Sequence, residues 1–435
     1  MSPLQTPLKI MKAGSRAGLR AVERLVRRGE SVLDAKTLRR AEKIVRDVRK
    51  RGDRALLDHA RKLDGAVGDS VADLALVPPP GDDGADLSAG FVEAIERAIA
   101  AVERFHQPQV RMGYRLEEEG AELEERITPL RRVGLYVPGG RASYPSTVVM
   151  TVVPARVAGV EEIVVATPPG SYRSNAALRH TLARLGVTEV WGMGGAQAVA
   201  ALAYGTETVR RVDKIAGPGN AWVTAAKKLV VGDVAIDGLA GPSEVVIVAD
   251  ASADPGDVAA DLLAQAEHDP LAAAVLITPD AKLAKRVSAE VDRQLADLST
   301  AETARASLGN FGAALVVGDL AEALALVERI APEHLQLVGP DAETLAPRVR
   351  SAGAIFIGAA TPEVFGDYIA GPSHVLPTCG SARFASSLGV EDFLRRSHTL
   401  RFTPGAASRR AAAAATLADA EGLPAHAAAA RRRLG

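Results

Sequence analysis

The chain has 435 residues, enough to bury more than one hydrophobic core. Lysine and arginine total 52 against 53 acidic residues, so no global positive field draws it to nucleic acid. Its one cysteine, Cys379, excludes an intrachain disulfide framework and a thiolate metal cluster.

The first residues, Met1-Ser2-Pro3-Leu4-Gln5-Thr6-Pro7, have no basic segment followed by an apolar run and a small-residue cleavage site, which argues against export. No apolar stretch approaches the ~20 residues that span a bilayer, so the expected location is cytoplasmic, with no membrane partner. Arginines at 409–410 and 431–433 sit beside alanine runs and read as solvated helix ends.

In chain order, residues 13–63 have helical spacing, carried by Leu19, Val22 and Leu25 and later by Ile44, Val45 and Val48. Glycines and prolines between Gly68 and Gly84 break that pattern before a second amphipathic helix over 88–106. The run 117–126 is too charged for a core and reads as an exposed ribbon or loop. After Pro129 the texture changes. Strands are expected at 133–137, 162–166, 189–191, 244–249, 274–278, 313–317, 335–338 and 354–357. Helices are expected at 175–185, 197–204, 221–229, 255–266, 281–295, 320–330 and 342–350. This alternation predicts doubly wound α/β sheets. The tail over 406–433 is helix-forming apart from Gly422 and Pro424.

Eight histidines allow each to be weighed. His59, His106, His180 and His398 lie in charged or amphipathic surroundings and read as surface or packing residues. His268 closes a helix that Pro270 helps to stop, and Gln265, three residues earlier, shares its face. Together they offer an amide oxygen and an imidazole nitrogen to one metal ion, which needs about four donors. Asp367 and His426 are candidates for the rest, although they lie far apart in the chain. Glu333-His334, between a helix and an apolar run, pairs a carboxylate with an imidazole that together titrate on both sides of neutrality. As an isolated feature such a pair also fits a solvated loop.

Three small-Gly-Pro bends punctuate the chain, at 216–220, 240–244 and 370–374, where compact backbone can approach a ligand closely. A glycine-rich junction, Trp191-Gly192-Met193-Gly194-Gly195-Ala196-Gln197, follows a strand and opens a helix, the arrangement that can present N–H groups to a pyrophosphate.

Read as a set, the motifs resemble the histidinol dehydrogenase family. The matching pieces include the 133–140 segment, Lys214-Ile215-Ala216-Gly217-Pro218-Gly219-Asn220, Ala240-Gly241-Pro242-Ser243-Glu244, Gln265-Ala266-Glu267-His268, Ala331-Pro332-Glu333-His334, Gly366-Asp367-Tyr368 and His374-Val375-Leu376-Pro377. They stand in family order and cover about residues 12–430.

The resemblance implies two incomplete Rossmann-like α/β domains with parallel-rich sheets, plus helical N-terminal and C-terminal extensions that take part in an intertwined homodimer. The implied divisions are an N-terminal arm over 1–29 and a larger domain from 30–135 and 245–388. An NAD-binding domain over 136–244 and a C-terminal dimerisation segment over 389–435 complete them. It makes Gln265, His268, Asp367 and His426 ligands of one Zn2+ per subunit, and Glu333 and His334 the acid/base pair. Ser243, His374 and Glu421 would contact L-histidinol together with the metal ligands and His334, and Tyr136, Gln197 and Asn220 would contact NAD+. Glu421 and His426 would reach into a partner's site. The implied reaction oxidises L-histidinol to L-histidine through L-histidinal, with two NAD+ and one water. The 370–374 bend departs slightly from the family pattern in its Pro372-Ser373 step, and Cys379 reads as incidental.

Overall fold

The computed structural model describes residues 8–76, 86–139 and 144–434; the expected Pro78–Gly84 break and Gly140 of the 133–140 motif lie outside them. Strand β1 (Ile10–Lys12) is followed by helices α1 (Arg16–Val26), α2 (Arg28–Val32), α3 (Ala35–Arg51), α4 (Asp53–Asp64) and α5 (Ala89–His106). The hairpin of β2 (Arg115–Glu118) and β3 (Ala121–Pro129) leads to β4 (Arg132–Tyr136), α6 (Pro145–Val157) and β5 (Glu162–Thr167). Next come α7 (Pro169–Ser174), α8 (Ala176–Arg184), β6 (Glu189–Gly192), α9 (Gly195–Tyr204), β7 (Lys214–Ala216), α10 (Ala221–Val230) and β8 (Ala235–Ile236).

The second half runs β9 (Glu244–Ala249), α11 (Pro255–Ala266), β10 (Ala273–Thr278), α12 (Ala281–Leu295), α13 (Ala301–Phe311) and β11 (Ala313–Val316). It continues with α14 (Leu320–Ile330), β12 (His334–Val338), α15 (Ala342–Leu345), β13 (Ala354–Ile357) and α16 (Glu363–Tyr368). Last are β14 (Leu394–Phe402), α17 (Pro404–Ala420) and α18 (Pro424–Arg431).

Two all-parallel sheets organise these elements. One has the order β6-β5-β4-β7-β8 and the other β1-β11-β10-β9-β12-β13. Setting β1 aside, each places its first strand centrally, the next two on one side and the last two on the other, the doubly wound pattern with a switch point beside the first strand. Both faces of each sheet are covered. In β9, Val245 and Ile247 enter one core with Leu262 and Val287, while Val246 and Val248 enter another with Val22 and Val327. A strand buried on both faces must be apolar throughout, which is why Val245 to Ala249 reads as an unbroken hydrophobic run.

The sheets redistribute the expected divisions. Residues 8–29 are no separate arm: β1 pairs with β11 at the edge of the six-stranded sheet, and α1 packs Val22 and Leu25 into its core. Helices α3 and α4, expected with the larger domain, share a core with α9 and α10 on the five-stranded sheet, and α5 packs on α6. Helix α6 was not anticipated because its residues 148–153 are apolar on every side apart from Thr151, as a buried helix allows. The expected helix over 342–350 stops at Leu345, continuing only as a short 3-10 turn.

The charged 117–126 run does form an exposed ribbon. Its strand β3 pairs along nine positions with β14, a strand inside the segment expected to be helical. Beyond β14, α17 and α18 pack mainly on each other through Ala415, Ala418 and Ala427.

Candidate active site

The amino ends of β9 and β12 lie side by side, with His334 in register with Val245. That pairing sets Ser243-Glu244 against Glu333-His334. Ahead of β12, Ala331 caps α14 in the left-handed region at φ 51°, and Pro332 then turns the chain so that Glu333 faces inward. Gly353 permits the close approach: a Cβ there would meet the Glu333 carbonyl at 2.6 Å.

Glu333 is only 5 % exposed and is far from the solvated loop its sequence setting also allowed. Its Oε2 accepts the Ser243 hydroxyl at 2.6 Å and the Glu244 amide at 2.9 Å. Burial pushes its carboxyl up to about 8, helped by the charges of Glu244 and Asp367 and opposed by those two donors. His334, 3 % exposed, places Nδ1 3.1 Å from the Glu244 carbonyl. A carbonyl only accepts, so Nδ1 carries the proton and Nε2 keeps its lone pair, 3.9 Å from Asp367 Oδ1. Burial lowers the imidazole and keeps it neutral, the state a proton acceptor needs.

Helix α11 carries Gln265 in its last turn and releases the chain at His268. Gln265 is fully buried, yet neither side-chain amide atom has a hydrogen-bond partner among the described residues. His268 Nε2 lies 3.9 Å from Asp367 Oδ2. Asp367 is on α16, and one turn earlier on the same helix is Glu363, which sequence reasoning missed. Glu363 Oε1 is 3.5 Å from His334 Nδ1, and its buried Oε2 has no partner among the described residues. Burial and the neighbouring Asp367, Glu333 and Asp261 charges hold Glu363 well above the usual carboxylate range. Ligand atoms of His334, Glu363 and Asp367 fall within 4.8 Å of one another. The signal in sequence was the i, i+4 spacing of Glu363 and Asp367.

Converging carboxylates and imidazoles, with an unsatisfied buried amide one turn before His268 on α11, fit a divalent cation, which would supply charge and the missing partners. His374 lies within 3.5 Å of the Thr147 hydroxyl, and burial lowers its imidazole too. The Pro372-Ser373 step has a structural use: Ser373 donates to the Met150 carbonyl and so fastens the loop to α6. Glu421 and His426 are exposed at the α17–α18 corner, and within one chain they do not join this cluster.

The remaining candidates surround the carboxyl edge of the five-stranded sheet. Tyr136 ends β4 and its hydroxyl accepts the Gly195 amide at 3.1 Å. Gln197, on α9, donates to Asp64 Oδ2 at 2.9 Å, and Gly194 N donates to the same oxygen at 2.9 Å. The glycine-rich junction therefore does not hold its Gly194 and Gly195 amides open for a pyrophosphate: a carboxylate and a phenol already take them. Asn220 caps α10, its side chain accepting from Trp222 and Val223.

The histidinol dehydrogenase family model matches residues 27–434. The chain belongs to the histidinol dehydrogenase family. It is 47% identical over 385 residues to the histidinol dehydrogenase of Geobacter metallireducens, covering 88% of each chain. The corresponding figure for the Synechococcus enzyme is 49% over 399 residues, 90% of each. The crystal structure of histidinol dehydrogenase from Elizabethkingia anophelis superposes with a TM-score of 0.88 at 32% identity, covering 98% of both chains.

For a histidinol dehydrogenase the sheet geometry has a consequence. The connector after β8 carries Asp237 at the carboxyl edge of one sheet and Ser243 at the amino edge of the other. Asp237 accepts the Gly217 amide and pairs with buried Lys227, while Ser243 holds Glu333. One short segment thus ties the Gly217-Asn220 bend to the Glu333–His334 pair. The backbone amide of Cys379 donates to Glu244 at 2.8 Å, a bond that does not depend on its thiol, and Arg28 pairs with that same carboxylate.

Proposed function

We propose that this chain oxidises L-histidinol to L-histidine in two steps through L-histidinal, transferring two hydrides to two NAD+ and consuming one water, as the last step of histidine biosynthesis in the cytoplasm. The observation that carries the reading is the buried Glu333–His334 pair, with His334 clustered with Glu363 and Asp367 and with His268 3.9 Å from Asp367.

Removing hydride from an alcohol carbon requires the hydroxyl proton to leave with it. Neutral His334, with Nε2 free and Nδ1 anchored on the Glu244 carbonyl, is suited to take that proton. The aldehyde must next gain water before it can yield a second hydride. Glu333, held near pH 8 and aimed by Ser243 and the Glu244 amide, can accept a proton from that water and release it again close to neutrality.

Gln265, His268, Asp367 and a His426 from a second copy would hold one Zn2+, which when bound would orient the substrate's imidazole and amine more than polarise its oxygen. Tyr136, Gln197 and Asn220 would contact NAD+, and His374 and Glu421 the substrate's polar groups. A homodimer supports this reading because the α17–α18 hairpin has a core of only Ala415, Ala418 and Ala427 and exposes Leu417 and Leu423.

The test is stoichiometry. Purified enzyme should reduce two equivalents of NAD+ per L-histidinol and release L-histidine; one equivalent, or no turnover, refutes the proposal.

A further inference from the structure

Strands β9 and β10 run parallel, so α11, which joins them, runs back in the opposite direction. Its last turn, with Gln265, therefore stands toward the amino end of β12, and the turn before it, with Asp261, stands further along that strand. His334 and Gln336 are two apart on β12 and share a face. Their register partners Val245 and Ile247 belong to the core that α11 closes with Leu262 and Leu263, so that face is turned to α11.

Gln336 reaches across: its Nε2 donates to Asp261 Oδ2 at 2.9 Å. Asp261 and Gln265 are four apart on α11, and a helical side chain leans back toward the preceding turn, which brings Gln265 beside this pair. A carboxylate only accepts, so Asp261 fixes which end of the Gln336 amide faces it and sends Oε1 the other way. Gln336 is 1 % exposed, and that oxygen is buried with no partner among the described residues. Both amide atoms of fully buried Gln265 are in the same condition.

Of these three atoms only Gln265 Nε2 is a donor. Turned toward Gln336 Oε1, it satisfies that oxygen and leaves Gln265 Oε1 for a cation. The flipped amide would set oxygen against oxygen and offer the cation an N–H. Glu363 Oε2, also buried without a partner among the described residues, belongs to the cluster that would hold the cation, and when ionised it adds an acceptor and no donor.

Resting on the zinc reading above, we infer that Asp261 and Gln336 are positioning residues for the metal: Asp261 orients the Gln336 amide, and Gln336 in turn orients Gln265 with its oxygen toward the cation. A role in packing alone would be indifferent to which atoms stand at the end of residue 265.

Zn2+ dissociation constants from chelator competition test this on the wild type, Gln336→Met, Gln265→Glu and the double variant, with urea midpoints of the metal-free proteins as the measure of packing. Gln336→Met should weaken Zn2+ binding by about ten-fold or more, as loss of a group that orients a metal ligand does. A carboxylate at 265 has oxygen at both ends and no wrong orientation, so in the Gln265→Glu background the same substitution should cost less than about three-fold. Equal losses in the two backgrounds, or unchanged Zn2+ affinity in Gln336→Met, overturn the inference while leaving the zinc reading intact. Should Gln336→Met fail to fold or Gln265→Glu hold no metal, Asp261→Asn decides, read against Asp257→Asn one turn earlier as the control for a lost charge. A greater loss of Zn2+ affinity at 261 is expected, and equal losses overturn the inference. A wild-type enzyme that retains no Zn2+ overturns the zinc reading and the positioning role together.

Discussion

Ser243 donates its hydroxyl proton to Glu333 across 2.6 Å, although 90 positions separate them in the chain. That bond favours the ionised carboxylate and is one of two that oppose the upward push of burial. Ser243→Ala should raise the Glu333 pKa further, leaving less ionised base at neutrality. The expected outcome is a fall of about ten-fold in kcat/KM at pH 7, the size of one lost charge-assisted bond. The deficit should narrow toward pH 9, and a pH–rate profile of L-histidinal oxidation checks it; a uniform loss at every pH contradicts the assignment.

Glu333 also makes stability depend on pH. Its folded value of about 8 lies above the ordinary 4.5, so its neutral form is favoured by the fold. The associated stability is fully present below pH 4.5 and is lost as pH rises through 8. Metal-free Glu333→Gln should therefore exceed the metal-free wild type at pH 7 by on the order of 3 kcal/mol, and match it near pH 4.5. Urea unfolding at the two pH values measures this, and a pH-independent difference counts against it.

Glu363→Gln keeps the shape of a buried side chain and removes a carboxylate from the His334, Glu363 and Asp367 cluster. Affinity for a divalent cation should drop at least ten-fold. Competition with a chelator, read as metal retained per chain, reports it; unchanged retention would confine Glu363 to orienting His334.

If His426 serves a partner's site, His426→Ala and His334→Asn should each be inactive alone. Mixing unfolded chains of the two and refolding them should restore about one quarter of wild-type activity, because half the dimers are mixed and each has one intact site. No recovery removes His426 from a shared site, and metal content of His426→Ala alone gives a second measure.

Arg28 and Glu244 form a buried ion pair at 3.2 Å, and the Glu244 backbone holds both Glu333 and His334. Arg28→Met strands a buried carboxylate and should cost about 3–5 kcal/mol. Adding Glu244→Gln should return part of that loss in a denaturant titration, since no bare charge then remains buried.

Much of the strand and helix order was legible because burial on two faces forces continuous apolar strands and one-sided helices, as in Glu244–Ala249 and Pro255–Ala266. Short or atypical elements were not. Strand β7 has three residues beginning with Lys214, and β14 scatters Arg395, Arg396 and Arg401 along a largely exposed strand, so neither carries an apolar period. In the site, Gln265 and His268 were legible as helix neighbours and Glu333-His334 as chain neighbours. Asp64 was not, because an isolated carboxylate looks alike in sequence whether it is solvated or buried, and Glu363 offered only its i, i+4 spacing from Asp367.

By itself the sequence determined most of the longer strands and helices, the family and the identity of the ionisable groups, since periodicity and local motifs are properties of neighbouring residues. Only the tertiary structure decided what those groups are. Parallel pairing of β9 with β12 buries Glu333 against Ser243 and raises it toward neutrality, and the approach of α4 to α9 puts Asp64 where a phosphate was expected. Protonation and ligand polarity follow from desolvation and from which donors face a group, and those are set by contacts between residues distant in the chain.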